Sequence, residues 1–129
     1  MKQTHESDVE GIRAPEPNPR TLKHLAAPWT IGSENLWVGL SEVDPGSESN
    51  AHSHETNEEV FYVVAGEGEI RVGDERQAVS AGSVVVAPPG QTHQLVNPGS
   101  ETLKVVCSVS PAFVKEDFDV AHNLDDEAD

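Results

Sequence analysis

Residues 46–66 read GSESNAHSHETNEEVFYVVAG, and the spacing within this stretch decides how the chain folds. Gly46 is followed after five residues by His52-x-His54, after four more by Glu59, and after six more by Gly66. Strand side chains alternate, so a His-x-His pair in extended chain puts both imidazoles on one face. Glu59 shares parity with Phe61 and Val63, while Glu58 points the other way. Glu59 is therefore the carboxylate expected beside the two histidines. Imidazole and carboxylate together suit Mn, Fe, Co, Ni, Zn or Cu.

A second stretch, residues 82–97, reads GSVVVAPPGQTHQLVN. Gly82 is followed after five residues by Pro88-x-Gly90, after two more by His93, and after three more by Asn97. Fifteen residues separate the two stretches. Only a folded β-structure brings His93 to the first three residues. The two stretches together resemble, position for position and in order, the two motifs of the cupin superfamily, over roughly residues 36–110. That resemblance implies a small antiparallel β-barrel, jelly-roll-like, around one divalent metal (Fe, Mn, Zn, Ni or Co) held by His52, His54, Glu59 and His93. It leaves the reaction open, because one fold hosts many chemistries. Members include dioxygenases, decarboxylases, isomerases and lyases, and also small-ligand or sugar-binding proteins without turnover. Glu59 is the candidate catalytic base if it changes coordination during turnover.

The rest of the chain fits this all-β reading. Short Val-rich strands alternate with Gly and Pro turns, the pattern of a sandwich or barrel. Asp44-Pro45-Gly46, Gly73-Asp74 and Asn97-Pro98-Gly99 are turn chemistry. Leu36–Val43 reads as the first strand and Leu103–Val109 as the last. Residues 1–20 carry Pro15, Pro17 and Pro19 and read as an extended, flexible arm. Residues 21–115 form the barrel, and 116–129 an acidic tail. A short terminal element is expected within 112–124, and disorder over 125–129. The turn glycines 46, 66, 82 and 90 are expected at positive φ or at close backbone approaches.

Parity also nominates a substrate pocket. Gln91 and Leu95 alternate with His93, Phe61 with Glu59, and Cys107 lies on the inward face of Leu103–Val109. Trp37 is an ordinary core aromatic first and a pocket wall second. Cys107 reads as a small core residue. His5, His24 and His122 lack ligand spacing and read as surface or satisfied interior histidines. No Arg or Lys is expected to project into the pocket. The nearest candidate, Arg71, is flanked by Ile70 and Val72, which claim the interior.

Composition bounds the partners. The chain has 129 residues with 23 acidic and 8 basic, a net charge of −15. Such a field repels phosphate backbones and anionic membranes, so neither nucleic acid nor membrane is an expected partner. The acidity fits either simple solubility or adaptation to high salt. No apolar run approaches the roughly 20 residues of a membrane span, and the N-terminus lacks a signal-peptide core. With the single Cys107, this gives an expected cytoplasmic protein. A small-molecule ligand and a C2 homodimer, with residues 21–35 offering apolar contacts, complete the expectations.

Overall fold

The computed structural model describes residues 1–124. Nine strands and one short helix follow a 3-10 turn at Glu6–Asp8. The strands are β1 (Ile12–Ala14), β2 (Arg20–Ala26), β3 (Trp37–Val43), β4 (Glu58–Ala65), β5 (Glu67–Val72), β6 (Glu75–Ser80), β7 (Val84–Ala87), β8 (His93–Val96) and β9 (Leu103–Ser110). The helix α1 spans Lys115–Ala121. A six-stranded sheet has the order β1-β2-β3-β9-β4-β7, and a three-stranded sheet the order β6-β5-β8. The strand pairs within both sheets are antiparallel.

Alternation along β9 shows why these residues make strands. Leu103, Val105, Cys107 and Val109 are buried, while Lys104, Val106 and Ser108 lie half-buried on the opposite face. Strands β3 and β4 flank β9 in matching register, Gly39 and Phe61 both opposite Cys107. Glycine is required at two points here. Gly66 has φ 88°, and a Cβ on it would overlap the Thr102 carbonyl. At Gly39 the Trp37 indole folds over the bare Cα, so any side chain would collide with the ring. The turn glycines 46, 82 and 90 also take positive φ, and Gly73 with Asp74 closes the two-residue β5–β6 hairpin.

Asn97 ties the end of β3 to the β8–β9 turn. It is 0% exposed, and its amide donates to the carbonyls of Val43, Asp44 and Glu101 at 2.9, 3.2 and 2.8 Å. Its Oδ1 accepts from the Gly99 N–H at 3.1 Å. A fully buried amide that satisfies four bonds fixes where both loops leave the sheets.

The chain ends differ from the sequence expectation. The segment 1–20 is extended but not free: Ile12–Ala14 pair with Arg20, Thr21 and Leu22. The three prolines lie between β1 and β2, where no ladder donor is needed. An Arg13–Asp44 ion pair fastens this edge. Within residues 21–35, β2 runs to Ala26, with Leu22 in the core and Trp29 packed against it. Within the expected acidic tail, α1 buries Phe118 at 1% exposure. The expected disorder of 125–129 lies outside the described residues. Exposed apolar area gathers on the outer face of β4 and β7, at Tyr62, Val64, Val84 and Val86. Strand β7 is an edge of its sheet.

His24 joins β2 to the aromatic cluster under α1. Trp37 Nε1–H donates to His24 Nδ1 at 3.1 Å, and the ring packs edge-on to Trp29, Trp37 and Phe118. The indole nitrogen can only donate, so Nδ1 carries a lone pair and the ring is neutral. Burial holds its pKa below the ordinary 6.5, outweighing the nearby Asp119. The unfolded chain then binds more protons around pH 6.5, so stability falls as pH drops through that region. Urea unfolding at pH 7.5 and 5.5 should show this loss. The loss should shrink in His24→Leu without vanishing, because His52 and His122 are also held low. An unchanged loss would remove His24 from the explanation.

Candidate metal centre

The centre lies between the two sheets. Glu59 is in β4 of the larger sheet and His93 begins β8 of the smaller one. His52 and His54 come from the β3–β4 connection, which is not a regular strand. His52 instead forms an isolated antiparallel bridge with His93: His52 N donates to His93 O at 3.2 Å, and His93 N to His52 O at 2.8 Å. Gly90 N donates to His54 O at 2.7 Å, so the turn before β8 holds the second histidine too.

One donor atom from each of His52, His54, Glu59 and His93 lies within 4.8 Å of the others. Glu59 Oε1 is 3.5 Å from His54 Nε2 and 3.3 Å from His93 Nε2. The side chains of Glu59, His54 and His93 are only 6, 7 and 3% exposed. The same three atoms, Glu59 Oε1, His54 Nε2 and His93 Nε2, are buried without a hydrogen-bond partner among the described residues. Buried polar atoms are normally satisfied, so orphaned atoms facing one another call for an ion. Donors about 2.0–2.2 Å from a metal are at most about 4.4 Å apart, so small adjustments close this set on one ion. The residues present fit a divalent transition metal.

The local chemistry prepares the donors. His52 Nδ1–H donates to Asn50 O at 2.9 Å, and His93 Nδ1–H to Gln91 O at 3.2 Å. Carbonyls only accept, so these bonds leave the Nε2 lone pairs free, an outer-shell arrangement that orients metal-binding imidazoles. Burial, reinforced by His93, lowers the His52 pKa to about 4, so it is neutral at neutral pH. Burial alone would raise Glu59, but the approach of His54 and His93 outweighs it and holds the carboxyl at about 2. Glu58 is exposed on the other face of β4.

A cavity of about 30 Å³ adjoins the centre. Trp37, Phe61, Leu95 and Cys107 line it along with His52, Glu59 and His93. Burial raises the Cys107 thiol well above its ordinary value, and Glu59 adds to the effect, so it stays protonated. Gln91 is a correction: it is exposed and faces the outer groove between β6 and β7. It precedes β8, where strand parity no longer applies, and its carbonyl rather than its side chain serves the site.

Arg20, Phe118 and His122 also line the cavity. Arg20 corrects the expectation that no cation projects there. It has the inward parity of Leu22 and His24 in β2, a signal hidden because the proline-rich reading stopped at residue 20. The C-terminal segment forms the remaining wall. The His122 ring lies 4.4 Å from His52 and stacks on Phe118 at 4.0 Å, while Phe113 lies 4.7 Å from His54. Asn50 clamps this segment through Nδ2 to Ala121 O at 2.6 Å.

Residues 39–109 match the Cupin_2 family, described as a cupin domain. The chain belongs to the cupin family. Among curated relatives, this cupin is 30% identical over 110 residues to the polyketide synthase protein CurC of Streptomyces cyaneus, covering 83% of this chain and 71% of CurC. Among solved structures, the polyketide cyclase RemF of Streptomyces resistomycificus superposes with a TM-score of 0.72 at 25% identity, over 91% of this cupin and 89% of RemF. A predicted oxalate decarboxylase from Thermotoga maritima gives 0.77 at 20% identity, over 84% and 98%, a likeness of fold.

Glu59→Gln should weaken metal binding by more than about 100-fold, since even loss of an outer-shell partner costs about 10–100-fold. Glu58→Gln should leave it unchanged. Titration of chelator-stripped protein with Zn(II) and Mn(II) reads both. The reverse ranking would mean that Glu58, not Glu59, is the donor.

Proposed function

We propose that this cupin is a metal-dependent enzyme acting on a small molecule at the His52, His54, Glu59 and His93 centre. The observation that carries the reading is the convergence of four donors, three of them buried with unpartnered atoms, on the edge of a protein-bounded cavity. Four protein ligands leave one or two positions open on a five- or six-coordinate ion, unlike closed Cys-rich structural zinc sites. A divalent ion there supplies Lewis acidity and, as Fe or Mn, redox chemistry.

The chain's own residues set the conditions. Glu59 is ionised at neutral pH and serves as donor or proton acceptor. Asn50 and Gln91 carbonyls fix the imidazoles, and Phe113, Phe118 and His122 exclude water. The protonated Cys107 is a wall, not a nucleophile. The likeness to CurC and RemF, whose names attach them to polyketide synthesis and cyclisation, supports reaction at a carbonyl group. Dioxygenase chemistry would use the same open positions. Turnover with and without oxygen separates these reactions.

Protein purified without chelators or a metal-affinity tag should carry about one Fe or Mn per chain, a stoichiometry expected of a single four-donor site. His52→Ala/His93→Ala should abolish both the metal and any turnover of carbonyl or carboxylate substrates. Metal without turnover across such a panel would favour a binding or sensing cupin. No metal under any loading condition would sink the proposal.

We also propose a C2 homodimer formed through the β7 edge, because Tyr62, Val64, Val84 and Val86 leave an apolar strip in an otherwise highly acidic chain. The single buried Cys107 agrees with a cytoplasmic setting. Light scattering should give a dimer that Val86→Lys converts to monomer. A monomeric parent protein across a broad concentration range would overturn this.

A further inference from the structure

Among the described residues, no carboxylate pairs with Arg20. Arg20 is 1% exposed, and Nη1 donates to Asn18 O at 2.8 Å. Nη2 donates to Asn50 Oδ1 at 2.7 Å and to His122 O at 3.4 Å, and Nε–H is buried with no acceptor. Every acceptor is neutral. Arg13 and Arg71, nearer the surface, each hold a carboxylate, whereas Arg20 has none within ion-pair distance among the described residues. Burial lowers its pKa only to about 10, so the guanidinium is charged at neutral pH. A buried charge without a partner is costly, and chains retain one where something else compensates it.

Arg20 lines an outer groove with Glu16 and Asn123 as well as the metal cavity. Arg20 contributes +1 to the lining of that cavity and Glu59 −1, and a divalent ion on the four donors would add +2. The sum is a net positive interior in a chain whose overall charge is −15. Neighbouring walls at Leu22, Trp37, Phe61 and Phe118 are apolar, so these charges are weakly screened. Arginine's planar fork matches a carboxylate better than any other side chain does.

We propose that Arg20 is the anion anchor of the metal cavity, holding a small carboxylate between its guanidinium and the ion at His52, His54, Glu59 and His93. This rests on the metal reading above and assigns the substrate class within it. A cavity of about 30 Å³ admits about two water-sized groups, since each needs roughly 10–15 Å³. That space matches the two oxygens of one carboxylate, so formate is the limit and acetate already requires α1 to move. The competing role for Arg20 is a clamp that ties β2 to the C-terminal segment through Asn50 and the His122 carbonyl. A clamp needs those donors but gives no response to added carboxylate.

The test uses Zn(II)-loaded wild-type protein carrying ¹⁵N-arginine, with metal content measured on the same sample. Arg20 is the buried arginine of the four, so its Nε–H resonance persists where exposed ones exchange away. That resonance should shift saturably with formate and acetate, and not with acetamide or benzoate. Arg20→Gln and Arg20→Lys should keep the metal and lose about 10- to 100-fold in acetate affinity, the range for a hydrogen bond to a charged group. The wild-type titration decides alone if the variants do not fold. Bound metal with no Arg20 response to acetate overturns the anchor and leaves the metal centre standing. Repeating the titration without metal separates the reverse case: an Arg20 response in protein that binds no metal keeps the anchor and removes the centre. No response and no metal overturn both.

Discussion

The two hydrogen bonds exchanged between the backbones of His52 and His93 are the constraint on which the site depends. They join a connection leaving the large sheet to the first residue of a strand in the small one. Forty residues of intervening chain, including the β5–β6 hairpin, separate the two members of this pair. Once it forms, both imidazoles lie against the Glu59 face of β4. The backbone thus sets the distance between the donors, and the side chains need little freedom to reach an ion.

The interior charges oppose the surface. Outside, carboxylates dominate; inside, the cavity gathers three histidines around one carboxylate, with a lone guanidinium across it. Burial makes both ends of this arrangement consequential. It keeps the His52 ring neutral and able to donate, and it leaves Arg20 without water to share its charge. The acidic exterior does little to screen them, since the cavity is bounded by aromatic and aliphatic walls.

How much of this was legible in the sequence follows from what kind of spacing each residue obeys. The gathering of His52, His54, Glu59 and His93 could be anticipated because two short stretches carry their own turns and strand parity. Leu95 and Cys107 followed from alternation within β8 and β9, and the turn glycines from their punctuation. Gln91 fell outside its strand, where alternation has no meaning. Arg20 was hidden at the junction of a proline-rich segment and β2, since its inward orientation is set by pairing with Val43. For His122, Phe113 and Phe118 the sequence offered only a short terminal element within 112–124, with no sign that it would cover the site. A seven-residue helix carries little periodicity, and its burial is fixed by Asn50 and Arg20, which lie 71 and 102 residues from the atoms they bind.

The covering segment has a consequence for how such a protein can change over generations. Residues that would grip the ion lie between His52 and His93, whereas much of what closes the chamber comes from Phe113, Phe118 and His122. Chemistry and admission are therefore inherited on separate stretches. Substitutions in this segment can widen or narrow the doorway while the four donor residues themselves are kept. On the proposed enzymatic reading, new substrate preferences are open to this lineage without rebuilding the donor set.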